Sequence, residues 1–194
     1  MANIIDSYSE SNQNDVSNFT GGHIGDGQSI TGNGAAVGSA VFYLKKSGSP
    51  TGTATANIYA HSGTFGTSSV PTGAALATSD TFDVSTLTTS FQLITFNFSG
   101  VNQIILTYGT HYVISIEDPT SASPDFITAG RSTNLGHAGN RSNDTSGSWS
   151  ANTTTDLCFY VYDNAKGLSD SGANYLSPHH IIVGDGMSRS EVAN

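Results

Sequence analysis

The sequence predicts an all-β fold, an antiparallel β-sandwich or jelly roll followed by an extended C-terminal arm, and three observations carry that expectation. Gly, Ser, Thr and Asn supply 88 of the 194 residues, while only three Lys, three Arg and three Glu occur, so the residues of long exposed helices are scarce. Thr, Val, Ile, Tyr and Phe fall instead in short runs between Gly and Asn, and within those runs apolarity alternates with period two. Nine Phe and eight Tyr within 36 % apolar residues are enough to fill one sandwich core.

The strand signature begins at 37–46, where Val37, Val41 and Tyr43 share one face and Phe42 and Leu44 the other. Further strands are expected at 54–60 and 75–84. In 91–98 both faces are apolar, which predicts a central strand covered on both sides. Residues 103–106 and 111–116 flank the turn around Gly109, as in a hairpin. The segment 121–155 is rich in Ser, Asn, Gly and Asp and is expected to be irregular, with short patches at 125–128 and 147–150. The final strand, 156–163, sets Leu157, Phe159 and Val161 against Cys158, Tyr160 and Tyr162.

Beyond Asn164 the pattern is lost, giving a domain at 1–164 and an arm at 165–194. The apolar groups of this arm are Leu168, Tyr175, Leu176, Ile181, Ile182 and Val183. They are too few to offset about 1 to 2 kcal/mol of backbone entropy per ordered residue, so an ordered arm would have to borrow a neighbour's surface.

A net charge of −9 disfavours nucleic acid and anionic membrane as partners, since both need clustered cations. The start Met1-Ala2-Asn3-Ile4-Ile5-Asp6 has no basic stretch leading into an apolar run, so no secretory signal is expected. The single Cys158 sits in an apolar strand and reads as a buried small hydrophobe.

Chemistry is sparse. No HExxH or CxxC spacing organises the six histidines, which read as polar surface. No serine lies in GxSxG, and two of the three glutamates, Glu10 and Glu191, sit near the ends of the chain, so neither a nucleophilic triad nor a glycosidase pair is expected. No cofactor is expected either. A structural Ca²⁺ is the remaining candidate, with Asp26, Asp144, Asp156 and Asp163 as hard oxygen donors. Trp149, together with Tyr8, Tyr108 and Tyr175, offers a flat apolar face for a sugar ring, the alternative being an anchor packed under its own loop. Trp149, Arg141 and His137 define the candidate ligand loop.

Four stretches together carry a resemblance. They are Phe42-Tyr43-Leu44-Lys45-Lys46 running into Ala56-Asn57-Ile58-Tyr59-Ala60; Pro71-Thr72-Gly73-Ala74-Ala75-Leu76; Thr95-Phe96-Asn97-Phe98-Ser99-Gly100 followed by Gly109-Thr110-His111-Tyr112-Val113-Ile114; and His137-Ala138-Gly139-Asn140-Arg141-Ser142 with Trp149 and Leu157-Cys158-Phe159-Tyr160. Over residues 27–163 the chain resembles the jelly-roll modules called choice-of-anchor domains in bacterial surface proteins, and similar modules in bacteriophage structural proteins. The resemblance implies a non-catalytic role in display, adhesion or assembly. With no export signal expected, it points to a virion protein made in the host cytoplasm, a capsid decoration (cement) protein or a tail or fibre component, whose partners are other virion proteins and copies of itself. The alternative is a carbohydrate-binding module or adhesin at the bacterial cell surface, with glycans as partners.

Overall fold

The computed structural model describes residues 2–164, so the arm residues Leu168, Tyr175, Leu176, Ile181, Ile182 and Val183 lie outside the described part. Two antiparallel sheets of seven strands each make a β-sandwich. The first sheet holds β1 (Ile4–Tyr8), β2 (Asp15–Asn18), β4 (Val37–Ser47), β8 (Gln92–Asn97), β10 (Phe126–Ser132), β13 (Asp156–Leu157) and β14 (Phe159–Asp163). The second holds β3 (His23–Thr31), β5 (Thr53–Ser62), β6 (Val70–Thr78), β7 (Phe82–Asp83), β9 (His111–Glu117), β11 (Arg141–Thr145) and β12 (Ser148–Asn152).

The long strand β4 organises the first sheet. One of its edges pairs with β8; the other pairs with β14 over its first half and with β10 over its second. β14 therefore wedges between β4 and β10, and Cys158 marks the kink between β13 and β14, its N–H donating to Gly130 O at 3.0 Å. Burial pushes the Cys158 thiol up to about 12, as suits a hydrophobe rather than a nucleophile. In the second sheet the order is β12-β11-β3-β9-β5-β6, with β7 on β5.

Alternation within the strands supplies the core. Phe42, Leu44, Phe96 and Phe159 face Ile30, Ile58, Ile114 and Ile116 across the sandwich, all of them buried. Phe42 and Phe96 meet edge to face, with ring centroids 5.9 Å apart and planes at 72°. Each such side chain contributes roughly 1.5 to 3 kcal/mol by leaving water.

Several expectations need correction. Residues 91–98 do not form a central strand. β8 is an edge strand whose inner face delivers Phe96 to the core, while Leu93 on its outer face is 46 % exposed. The outer Phe91 stacks on Tyr43, with centroids 4.8 Å apart, under the Lys45 Nζ. Apolarity on two faces here means a core face and a small outer cluster. The expected hairpin keeps only its second arm, β9. Residues 104–106 instead bond the 32–37 loop, with Gly34 N–H donating to Leu106 O and Leu106 N–H to Ala35 O. The segment 75–84 divides into β6 and β7, because Asp80 turns its N–H to Asn97 O. The segment 121–155, expected to be irregular, holds β10, β11 and β12, and the first 31 residues, where no strand was expected, hold β1 to β3.

Candidate functional site

The hairpin of β11 and β12 carries two of the three candidate residues, Arg141 and Trp149. Ser146 and Gly147, both at positive φ (55° and 85°), form its two-residue turn, the geometry that matches the twist of paired strands. The register places Asp144 opposite Trp149 and Arg141 opposite Asn152. Since alternate residues point to opposite faces, Asp144 and Trp149 go to the outside of the second sheet, and Arg141, Asn143 and Asn152 to the inside.

On the outer face, Thr55, Glu117, Gly25, Asp144 and Trp149 form one cross-strand row over β5, β9, β3, β11 and β12. The neighbouring row runs Asn57, Ser115, Gly27, Ser142 and Ala151. Gly25 and Gly27 make the floor. A Cβ on Gly27 would stand 3.3 Å from Trp149 Cζ3 and 2.8 Å from Val113 Cγ1, so the indole leans across the sheet there because a side chain is missing beneath it. A Cβ on Gly25 would stand 2.9 Å from Glu117 Cγ and 3.4 Å from Asp144 Cβ, so two carboxylate side chains flank that gap. Tyr59 leans in from β5, its ring 6.2 Å from Trp149. Burial, with the neighbouring Glu117 and Asp144, holds the Tyr59 phenol above its usual range. Ser115 Oγ donates to Glu117 Oε1 at 2.6 Å, while Ser142 Oγ and Asp144 Oδ1 are buried without a protein partner.

On the inner side, Arg141 is fully sequestered, its side chain 2 % exposed. Its guanidinium donates to Asp26 Oδ1, to Ser17 Oγ at 3.0 Å and to Thr155 Oγ1 at 3.3 Å. Burial would raise the Asp26 carboxyl, but the charge of Arg141 and the hydrogen bond from His23 outweigh it and hold Asp26 down to about 2. Burial would lower His23 in turn, yet its contact with Asp26 at 3.0 Å raises it. Arg141, Asn143 and Asn152 open on a cleft of about 420 Å³ between the edges of the two sheets.

His137 lies elsewhere. Its Nδ1 accepts N–H bonds from Gly139 at 3.0 Å and Gln28 at 3.1 Å, and its Nε2 faces Asp6 Oδ1 at 3.0 Å. Gln28 also donates to Asp156 Oδ1 and accepts from Leu157 N–H. His137 therefore locks β1 to the loop before β11.

The expected ligand loop is thus three separate places. Trp149 stands on the outer face, Arg141 is a buried ion-pair partner on the inner face, and His137 is a tie to the N-terminal strand. The aromatic partner of Trp149 is Tyr59; Tyr8 meets His137 edge to face, Tyr108 is 82 % exposed, and Tyr175 lies outside the described residues. His23 and His137 are half-buried hydrogen-bonded groups, not polar surface. The four aspartates named for Ca²⁺ do not converge: Asp26 serves Arg141, Asp156 serves Gln28, Asp163 bonds Asn3 and Asp144 stands on the outer face. Among the described residues no three His, Cys, Asp or Glu side chains are grouped to hold a metal. Tyr59 and the glycine floor escaped sequence reasoning, although two glycines spaced by one residue, Gly25 and Gly27, are a sign that something crosses the strand closely.

Fold and site together define an antiparallel β-sandwich with an aromatic and carboxylate outer face and a polar cleft at one open edge. No protein-family model matches the chain, and no curated protein matches it. Among solved structures it is similar to "The crystal structure of the cysteine protease and lectin-like domains of Cwp84, a surface layer associated protein of Clostridium difficile", with a TM-score of 0.44 and 14 % identity over 74 % of this chain and 32 % of that one. This chain thus spans about a third of the length of that protein's chain.

Proposed function

We propose that the chain is a non-catalytic carbohydrate-binding β-sandwich that acts in display or adhesion at a surface, with the outer face of the second sheet as its sugar site. The observation that carries this reading is the partly exposed pair Trp149 and Tyr59 set over a glycine floor beside the partly exposed Glu117 carboxylate, with Asp144 and Ser142 buried beneath. Aromatic faces stack on the CH face of a pyranose, and carboxylate and hydroxyl oxygens accept and donate hydrogen bonds to ring hydroxyls. The resemblance to surface-protein modules supports the display role. The virion-decoration reading, including the tail or fibre variant, rests on the resemblance and on expectations drawn from the sequence, among them the arm 165–194 outside the described residues, and the sandwich adds no observation in its favour.

A glycan array on the full chain followed by calorimetry tests the proposal. We expect at least one saccharide to bind and Trp149→Ala to weaken it about tenfold or more, a loss of about 1.4 kcal/mol. Absence of any saccharide binding, or binding indifferent to both Trp149→Ala and Tyr59→Ala, overturns it.

A further inference from the structure

The sandwich is open along one edge. There β2 and β10 of the first sheet stand off from β3, β11 and β12 of the second, leaving the cleft of about 420 Å³. That volume falls in the range of sites for small ligands. Val16 is the single apolar side chain at its wall, so an apolar or aromatic ligand would find nothing to pack on.

The wall is rich in donors. Arg131 gives Nε to Asp15 Oδ2 at 2.8 Å, and its two terminal nitrogens have no acceptor among the described residues. Asn18 Oδ1 already accepts from Thr128 Oγ1, and Asn152 Oδ1 from Thr154 and Thr155, so both amides are left with NH₂ to offer. Asn143, on the same wall, makes no side-chain hydrogen bond among the described residues, and Arg141 Nε is buried without a partner. Cations are also concentrated here. Residues 2–164 contain four Lys and Arg, namely Lys45, Lys46, Arg131 and Arg141, and two of them line this cleft, Arg141 buried on Asp26 and Arg131 bonded to Asp15 through Nε alone. A planar guanidinium with two free parallel N–H groups fits a carboxylate, and amide NH₂ groups fit hydroxyl and ring oxygens.

We propose that this cleft binds the carboxylate of an acidic saccharide, Arg131 taking the carboxylate and Asn18, Asn143 and Asn152 the neighbouring oxygens. The site uses no residue of the Trp149 face and does not rest on that face being a sugar site.

Titration of the full chain with trigalacturonate, followed by backbone-amide NMR and calorimetry, tests the proposal. We expect saturable shifts at Val16 to Asn18, Arg131, Asn143 and Asn152, affinity reduced about tenfold or more in Arg131→Gln and measurably in Asn143→Ala, and a similar reduction when the probe is methyl-esterified. Trp149→Ala should leave these shifts and the affinity unchanged. The proposal fails if no shift appears in the cleft at about 10 mM probe. It also fails if the esterified probe binds as well, if folded Arg131→Gln and Asn143→Ala both bind normally, or if inorganic sulfate binds with equal affinity. Binding abolished by Trp149→Ala instead would place the acid on the outer face and overturn the cleft as its site.

Discussion

The interior of this sandwich has two halves built from the same two sheets by different means. Towards β4, β5, β8 and β9 it is hydrocarbon, with Phe42, Phe96, Ile58 and Ile114 in contact across the layer. Towards β2, β10 and β11 it is polar, with Arg141, Asp26 and Ser17 in one hydrogen-bonded knot and Gln28, Asp156 and His137 in another. The difference lies in tolerance. A hydrocarbon half accepts any well-fitting apolar set, whereas a polar half is stable only while each buried charge keeps its partner. Substitutions in the two halves should therefore differ in kind as well as in size.

The largest effect is expected from Arg141→Ala, about 3 to 5 kcal/mol in a denaturant melt, because it strands the Asp26 carboxylate in the interior. The double variant Arg141→Met with Asp26→Leu removes both charges and should recover most of that loss. If the double variant is as unstable as the single one, the pair is not the reason for the cost and the contrast between the halves breaks down. In the hydrocarbon half, Phe96→Ala should cost about 3 to 4 kcal/mol by emptying a large aromatic site, with no partner substitution able to restore it short of refilling the volume. A loss below about 1 kcal/mol would mean that β8 is not anchored by that ring. Next in size comes Gln28→Leu, expected to lose about 1 to 3 kcal/mol because Leu157 N–H and Asp156 lose their buried partner. A neutral result, measured by the same melt, would mean that water replaces the amide there.

The two halves also differ in how far the sequence reveals them. Strands that feed the hydrocarbon half carry alternating large apolar residues, and β4, β5, β9 and β14 lie where alternation places them. Strands of the polar half do not. β3 reads His-Ile-Gly-Asp-Gly-Gln-Ser-Ile-Thr and β11 reads Arg-Ser-Asn-Asp-Thr, patterns of a loop by composition, and they become strands because the ladder satisfies their backbones while their side chains satisfy one another. Such pairing joins residues more than 100 positions apart, as Arg141 and Asp26 are, and nothing local marks it. The same blindness governed the site. Trp149 was legible as a lone aromatic in a polar stretch, but its partner Tyr59 lies four strands away in the sheet order, and Arg141 and Asn152 face inward only once the hairpin register is fixed.

The smallest effect, and the finest test of the polar half, is its dependence on pH. His23 has acceptors at both ring nitrogens: Asn18 O lies 3.2 Å from Nδ1, and Gly25 O and Asp26 Oδ1 lie 2.9 and 3.0 Å from Nε2. Only the imidazolium can donate to both sides, so although burial opposes the charge, the contact with Asp26 raises the folded-state pKa above 6.5, against the nearby charge of Arg141. A raised pKa adds stability that is complete below the unfolded value of about 6.5 and is lost as the pH climbs through the folded value. Asp26 acts in the opposite sense: held near about 2 against 3.8 when unperturbed, it adds stability above that value and loses it as the pH falls towards 2. The knot is then tightest between about pH 4 and 6.5. Denaturant midpoints should fall as the pH rises above about 6.5, and His23→Gln should remove that part of the slope while leaving the acid limb, which belongs to Asp26, in place. A wild-type slope unchanged by His23→Gln would show that His23 is neutral throughout this range, and the raised pKa inferred from its two acceptors would be wrong.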